Sequence, residues 1–78
     1  MKPEAELRDQ LLKENEEYRR LAAEHRSYDN ELEGLLSKHF LSEEEKIKEK
    51  MLKKKKLMLK DRMYSMVKKY RKEMAARS

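Results

Sequence analysis

His25 and Asp29, four positions apart, are the nearest thing in this chain to a catalytic or metal-ligating pair. On a helix that spacing puts both side chains on one face. An imidazole and a carboxylate placed so could relay a proton or supply half of a metal site. The plainer reading is a hydrogen-bonded pair at the edge of a helical seam, and it is favoured because His25 fills a heptad position. The other histidine, His39, lies fourteen residues on, about 21 Å away along a continuing helix. One chain brings both to one ion only by bending. There is no cysteine to complete a zinc site or act as a thiolate. The single glycine, Gly34, cannot build a phosphate loop, and Ser27, Ser37, Ser42, Ser65 and Ser78 stand in no nucleophile motif. The expectation is a chain with no catalytic residue, no metal and no cofactor, and not an enzyme.

The lysine run Lys53 to Lys56 is a sharper feature. Four successive helical residues spread over about 300° of arc, so they form no single patch. Lys56 falls on the seam between Leu52 and Leu59. There its aliphatic stem can lie on apolar neighbours while its ammonium pairs with Glu24 or Asp29. Lys53, Lys54, Lys60 and Lys68 are expected to face outward, and Tyr64 falls off the main stripe. These five residues form the candidate interaction surface. A basic face of this kind can hold the phosphates of DNA or RNA. Against that reading, an acidic neighbouring helix would repel phosphate, and most of the aromatics (Tyr18, Tyr28, Phe40, Tyr64, Tyr70) fall on seams rather than on a stacking platform. Met51, Met58, Met63, Met66 and Met74 suggest an adaptable apolar surface, of use in core packing, in self-association or as a groove for a partner helix.

The elements that must position these residues are helical. Charged residues make up 47% of the 78 and hydrophobic ones 37%, with one Gly and one Pro. That balance suits long helices with a narrow apolar stripe and does not suit a sheet. Pro3 fits a first helical position, and Glu4 and Glu6 a first turn. Leu11, Tyr18, His25 and Leu32 then recur every seven residues, with Leu7, Glu14, Leu21, Tyr28 and Leu35 in the alternate seam position. A break follows over Ser37 to Leu41. Ser42-Glu43-Glu44-Glu45 reads as a capping box, in which the Ser42 hydroxyl and the Glu45 carboxylate satisfy each other's backbone N–H. The second seam carries Leu52, Lys56, Leu59, Met63, Met66 and Tyr70, widened by Ile47, Leu57, Val67 and Met74.

The fold expected is all-α: one domain over 1–78, with a first helix over about 4–36, a turn over about 37–42 and a second helix over about 43–75. Two long helices joined by a short turn lie antiparallel most easily, as a coiled-coil-like hairpin. A turn centred near position 40 pairs Leu21 with Leu59, Tyr28 with Leu52, Tyr18 with Met63 and Leu11 with Tyr70. Charge agrees with this pairing. Residues 1–45 hold seven basic and thirteen acidic side chains, net −6, and residues 46–78 hold fourteen and three, net +11. Opposed acidic and basic flanks say more about orientation than about stability. A lone hairpin buries little for a chain of this size. Self-association into a helical bundle is therefore expected, most simply as a dimer. A protein partner is also possible, and nucleic acid is possible but not favoured. No apolar run approaches the roughly 20 residues that span a bilayer, and Glu4, Glu6 and Asp9 do not suit a signal peptide. The chain is expected in the cytoplasm.

Leu12-Lys13, Asn15, Tyr18, Leu21, His25, Tyr28-Asp29 and Leu32, followed after a polar break by Lys53-Lys54-Lys55-Lys56-Leu57-Met58-Leu59-Lys60-Asp61, together resemble the YdcH-like family of small bacterial proteins, a domain of unknown function. The resemblance covers roughly residues 7–67. Its most specific part is Lys53 to Asp61, similar to the family's Lys-Lys-x-Lys-Leu-x-Leu-Lys-Asp, and His25-x-x-x-Asp29 also looks like the family's pattern. Tyr28 stands where the family more often has Leu, and Leu36 to Leu41 is not a close match. The resemblance implies a helical hairpin and no activity.

Overall fold

Three helices account for almost all of residues 3–77, which the structure, a computed structural model, describes: α1 (Glu4–Glu14), α2 (Glu16–Leu36) and α3 (Glu43–Arg77). No strand occurs among the described residues. α3, at 35 residues, is about 52 Å long at 1.5 Å per residue, and it sets the long dimension of a molecule measuring 54 × 20 × 16 Å. Among the described residues, no helix is long and apolar enough to cross a membrane.

The start of α3 is as the capping box requires. The Glu45 backbone N–H donates to Ser42 Oγ at 3.1 Å, and the Ser42 N–H donates to Glu45 Oε1 at 3.0 Å. Lys38, in the turn, also binds the Glu45 carboxylate. The Lys38 hydrogen bond and then the Ser42 N–H pull the Glu45 carboxyl down to about 2. At the other side of the turn, Ser37 caps α2, and its hydroxyl donates to the Gly34 carbonyl at 2.8 Å.

The single helix expected over about 4–36 is not there. Asn15 leaves the helical region, with φ −115° and ψ 113°, and its side chain accepts from the Tyr18 N–H at 2.9 Å. Asn15 thus ends α1 and caps α2, the role in which Asn is among the most favoured residues. Glu16 and Glu17 stand in the first turn that follows, where the helix dipole favours them.

The break redirects the chain. A straight helix would hold Leu7 about 16 Å along the axis from Tyr18. Instead Leu7, Leu11, Tyr18 and Val67 form one buried cluster, each 2–3% exposed, with Met63, Met66 and Tyr70 packed against it. A second cluster joins Leu32, Leu35 and Leu52, flanked by Tyr28 and Leu41. Between the two, Lys56 forms an ion pair with Asp29, the partner expected for it alongside Glu24. Contacts from α2 to α3 therefore run in opposite order: Leu32 and Leu35 meet Leu52, Asp29 meets Lys56, and Tyr18 meets Val67.

Of the expected seam, Leu11, Tyr18, Leu21, Leu32, Leu52 and Leu59 are buried, and His25, Tyr28, Lys56, Met63, Met66 and Tyr70 are half-buried. Tyr18 shares its buried cluster with Val67, and Met63, expected opposite Tyr18, packs against that cluster. Ile47 and Leu57 do not widen the buried stripe; they are 58% and 60% exposed. At 100° per residue Leu57 stands roughly 140–160° around α3 from Leu52 and Leu59, too far to share their contact.

Candidate functional site

The candidate surface residues divide when placed on α3. Lys53, Leu57, Lys60, Tyr64 and Lys68 follow one another at spacings of four, three, four and four, which keeps them on one face. Lys54 is about 100° away from Lys53 and belongs to the outer side of the helix. Lys53 also bonds Glu49 at 2.8 Å, one turn back. The Lys68 ammonium lies 5.1 Å from the centre of the Tyr64 ring, a cation–π contact that holds both side chains on this face. Lys55, on the opposite flank, stacks at 5.8 Å on Tyr28.

This face of α3 is one wall of a groove. Two adjoining hollows share Leu57 and Lys60 as common lining. The hollow nearer the turn is completed by Leu32 and Leu36 of α2 and by Lys53. The farther one is completed by Tyr18 and His25 of α2, Tyr64 of α3, and Glu4 and Arg8 of α1. Exposed apolar residues stand along it: Leu36 at 59%, Leu57 at 60% and Tyr64 at 53%. Leu36 is the residue that sequence reasoning missed, and Leu57 was expected to widen the seam. The available signal was helical phase, since Leu57 falls between Lys53 and Lys60 on their face and not on the Leu52–Leu59 line.

The His25–Asp29 pair stands at the edge of this groove. Asp29 bonds Lys56, and that hydrogen bond holds its carboxyl below the usual range. Burial lowers the His25 imidazole, with Asp29 pulling the other way and Lys56 and Lys60 adding to the lowering. Its Nε2 is shielded from solvent and has no hydrogen-bond partner. A neutral imidazole packed at a helix contact fits these observations. Among the described residues, no three His, Cys, Asp or Glu side chains gather as a group able to hold a metal.

A second, outer stripe lies elsewhere on α3. Ile47, Met51 and Met58, spaced four and seven apart, are 58%, 54% and 65% exposed.

Residues 19–67, more than half of the chain, match the model of a protein family of unknown function, DUF465. The matched stretch begins after the Asn15 break and ends at Val67, so α1 lies outside it. No curated protein and no solved structure matches the chain.

Proposed function

This chain belongs to the DUF465 family of unknown function, which contains the YdcH-like proteins, and from its own geometry we propose that it is a non-enzymatic helical interaction and oligomerisation module. The observation that carries the reading is the amount of apolar side chain that α3 leaves in solvent on both sides of its buried seam. Leu57 and Tyr64 stand on the groove side, and Ile47, Met51 and Met58 on the outer side. Apolar surface of this kind, rimmed by charge, marks an interaction site more often than a spare part of a core. The same proposal takes α2 and α3 as an antiparallel hairpin, supported by the opposite order of their contacts. The proposed setting is the cytoplasm.

Self-association uses the outer stripe in this reading. Sedimentation equilibrium over a wide concentration range tests it. A mass above one chain that falls to one chain on Met51→Glu with Met58→Glu supports the module. One-chain mass at every concentration removes oligomerisation from the proposal.

Nucleic acid is the second reading, favoured by Lys53, Lys60 and Lys68 sharing a face. Anisotropy of labelled mixed-sequence DNA and RNA tests it. Binding that persists near roughly 0.15 M salt, falls steeply with salt and weakens on Lys53→Ala with Lys60→Ala puts this reading first. Absence of binding removes it.

A further inference from the structure

Along one half of the groove α3 already carries a helix as a neighbour, and that helix is α1. Glu4 and Arg8 line the hollow with Lys60 and Tyr64. Leu7 and Leu11 bury with Val67. Gln10 and Glu14 accept from the Tyr70 hydroxyl. Rising numbers on α1 meet rising numbers on α3, so α1 runs in the direction of α3 over its 60–70 stretch. Its chemistry is plain: Glu4, Glu6, Asp9 and Glu14 outnumber Arg8 and Lys13, and two leucines four apart anchor it. It is an acidic amphipathic helix seated on a basic one.

Beyond Glu4, toward the turn, the groove continues with no helix over it among the described residues. Leu36 and Leu57 are its exposed apolar walls, and Lys53 and Lys60 form its rim. We infer that this open half docks an acidic amphipathic helix of a partner protein, seated on Leu36 and Leu57 as α1 is seated on Val67. The inference rests on the interaction-module reading above and names the class of partner. Charge selects this occupant. α3 is strongly basic, so an acidic helix gains where a second copy of the same strip would set like lysines face to face. Nucleic acid fits less well, because the apolar walls Leu36 and Leu57 offer a phosphate backbone nothing and the Tyr64 ring is already covered by Lys68.

The test is fluorescence anisotropy with the full chain and a fluorescein-labelled designed helix of about 18 residues, with leucines at helical spacing and glutamates on both flanks. A counterpart carries lysine in place of each glutamate. The acidic probe is expected to bind at least about tenfold more tightly than the basic one. Leu57→Asp and Lys60→Glu are each expected to weaken it roughly tenfold, whereas Lys54→Glu, on another face, leaves it nearly unchanged. All three side chains are solvent-facing, and circular dichroism checks that the variants stay helical. No binding of the acidic probe, equal binding of both probes, or sensitivity to Lys54→Glu in place of Lys60→Glu overturns the inference. Displacement of the probe by duplex DNA or by phosphatidylglycerol vesicles overturns it too, in favour of a polyanion site. Sedimentation separates the two levels: a self-associating chain that ignores the acidic probe loses this inference and keeps the module.

Discussion

The Tyr70 hydroxyl donates to the Glu14 carboxylate at 3.2 Å, and this contact ties the last residue of α1 to the far part of α3 across 56 positions of sequence. Burial first, then the hydrogen bond to Glu14, raises the Tyr70 phenol above its ordinary value of 10.0. A phenol raised by folding contributes stability that is complete below pH 10 and is lost as pH rises through the folded value. Glu14→Gln should bring the titration back toward 10, measured by ultraviolet absorbance. Tyr70→Phe should loosen α1, seen as faster amide exchange over residues 7–14 with α2 unaffected.

Strong acid should act at the turn. The Glu45 carboxyl, held at about 2 against an ordinary 4.5, contributes stability that is present above 4.5 and is lost as pH falls toward 2. Urea midpoints of the wild type and Glu45→Gln should therefore differ at pH 7 and converge as pH falls through that window.

His25 makes a separate prediction at milder pH. Its imidazole is lowered from 6.5, chiefly by burial. The folded chain resists the proton that the unfolded chain accepts, so stability falls as pH drops below 6.5. Asp29, Lys56 and Lys60 face this group, and the ion pair between Asp29 and Lys56 leaves little carboxylate free to welcome the charge. His25→Gln should flatten the dependence of the urea midpoint between pH 7 and pH 5. An unchanged slope would show that His25 is not its source.

Asn15→Ala removes the acceptor for the Tyr18 N–H. The expected loss is about 1 kcal/mol, read as a lower denaturation midpoint. Asn15→Asp keeps the acceptor and should recover most of it.

Gly34→Ala should stabilise. A Cβ built at Gly34 meets nothing within 4 Å, and no described residue has a positive φ that would need glycine. The helix-propensity difference is about 1 kcal/mol, which raises the melting temperature by roughly 4–8 °C in a domain of this size. Thermal denaturation followed by circular dichroism checks it.

Much of the architecture was written in local rules. Helix type follows from spacing of three and four. The start of α3 follows from Ser42 and Glu45, a cap that closes within three residues. The ion pair of Lys56 with Asp29 follows from a lysine on the seam opposite an acidic helix. The break at Asn15 does not follow in the same way: the heptad running through Leu11 and Tyr18 argued for continuity, and a seam pattern does not say whether its helix is whole.

What only tertiary structure decided is the direction of α1 and, with it, which part of α3 stays open. Local propensity extends one turn at most and is nearly indifferent between a straight helix and a break at Asn15. The choice falls to burial: Leu7 and Leu11 reach 3% exposure by folding back onto Tyr18 and onto Val67, the latter some 60 positions away. The same packing covers the Val67 end of the groove and leaves Leu36 and Leu57 in water. Sequence determined that the chain would be helical. Packing decided which face it presents, because exposure depends on every neighbour at once.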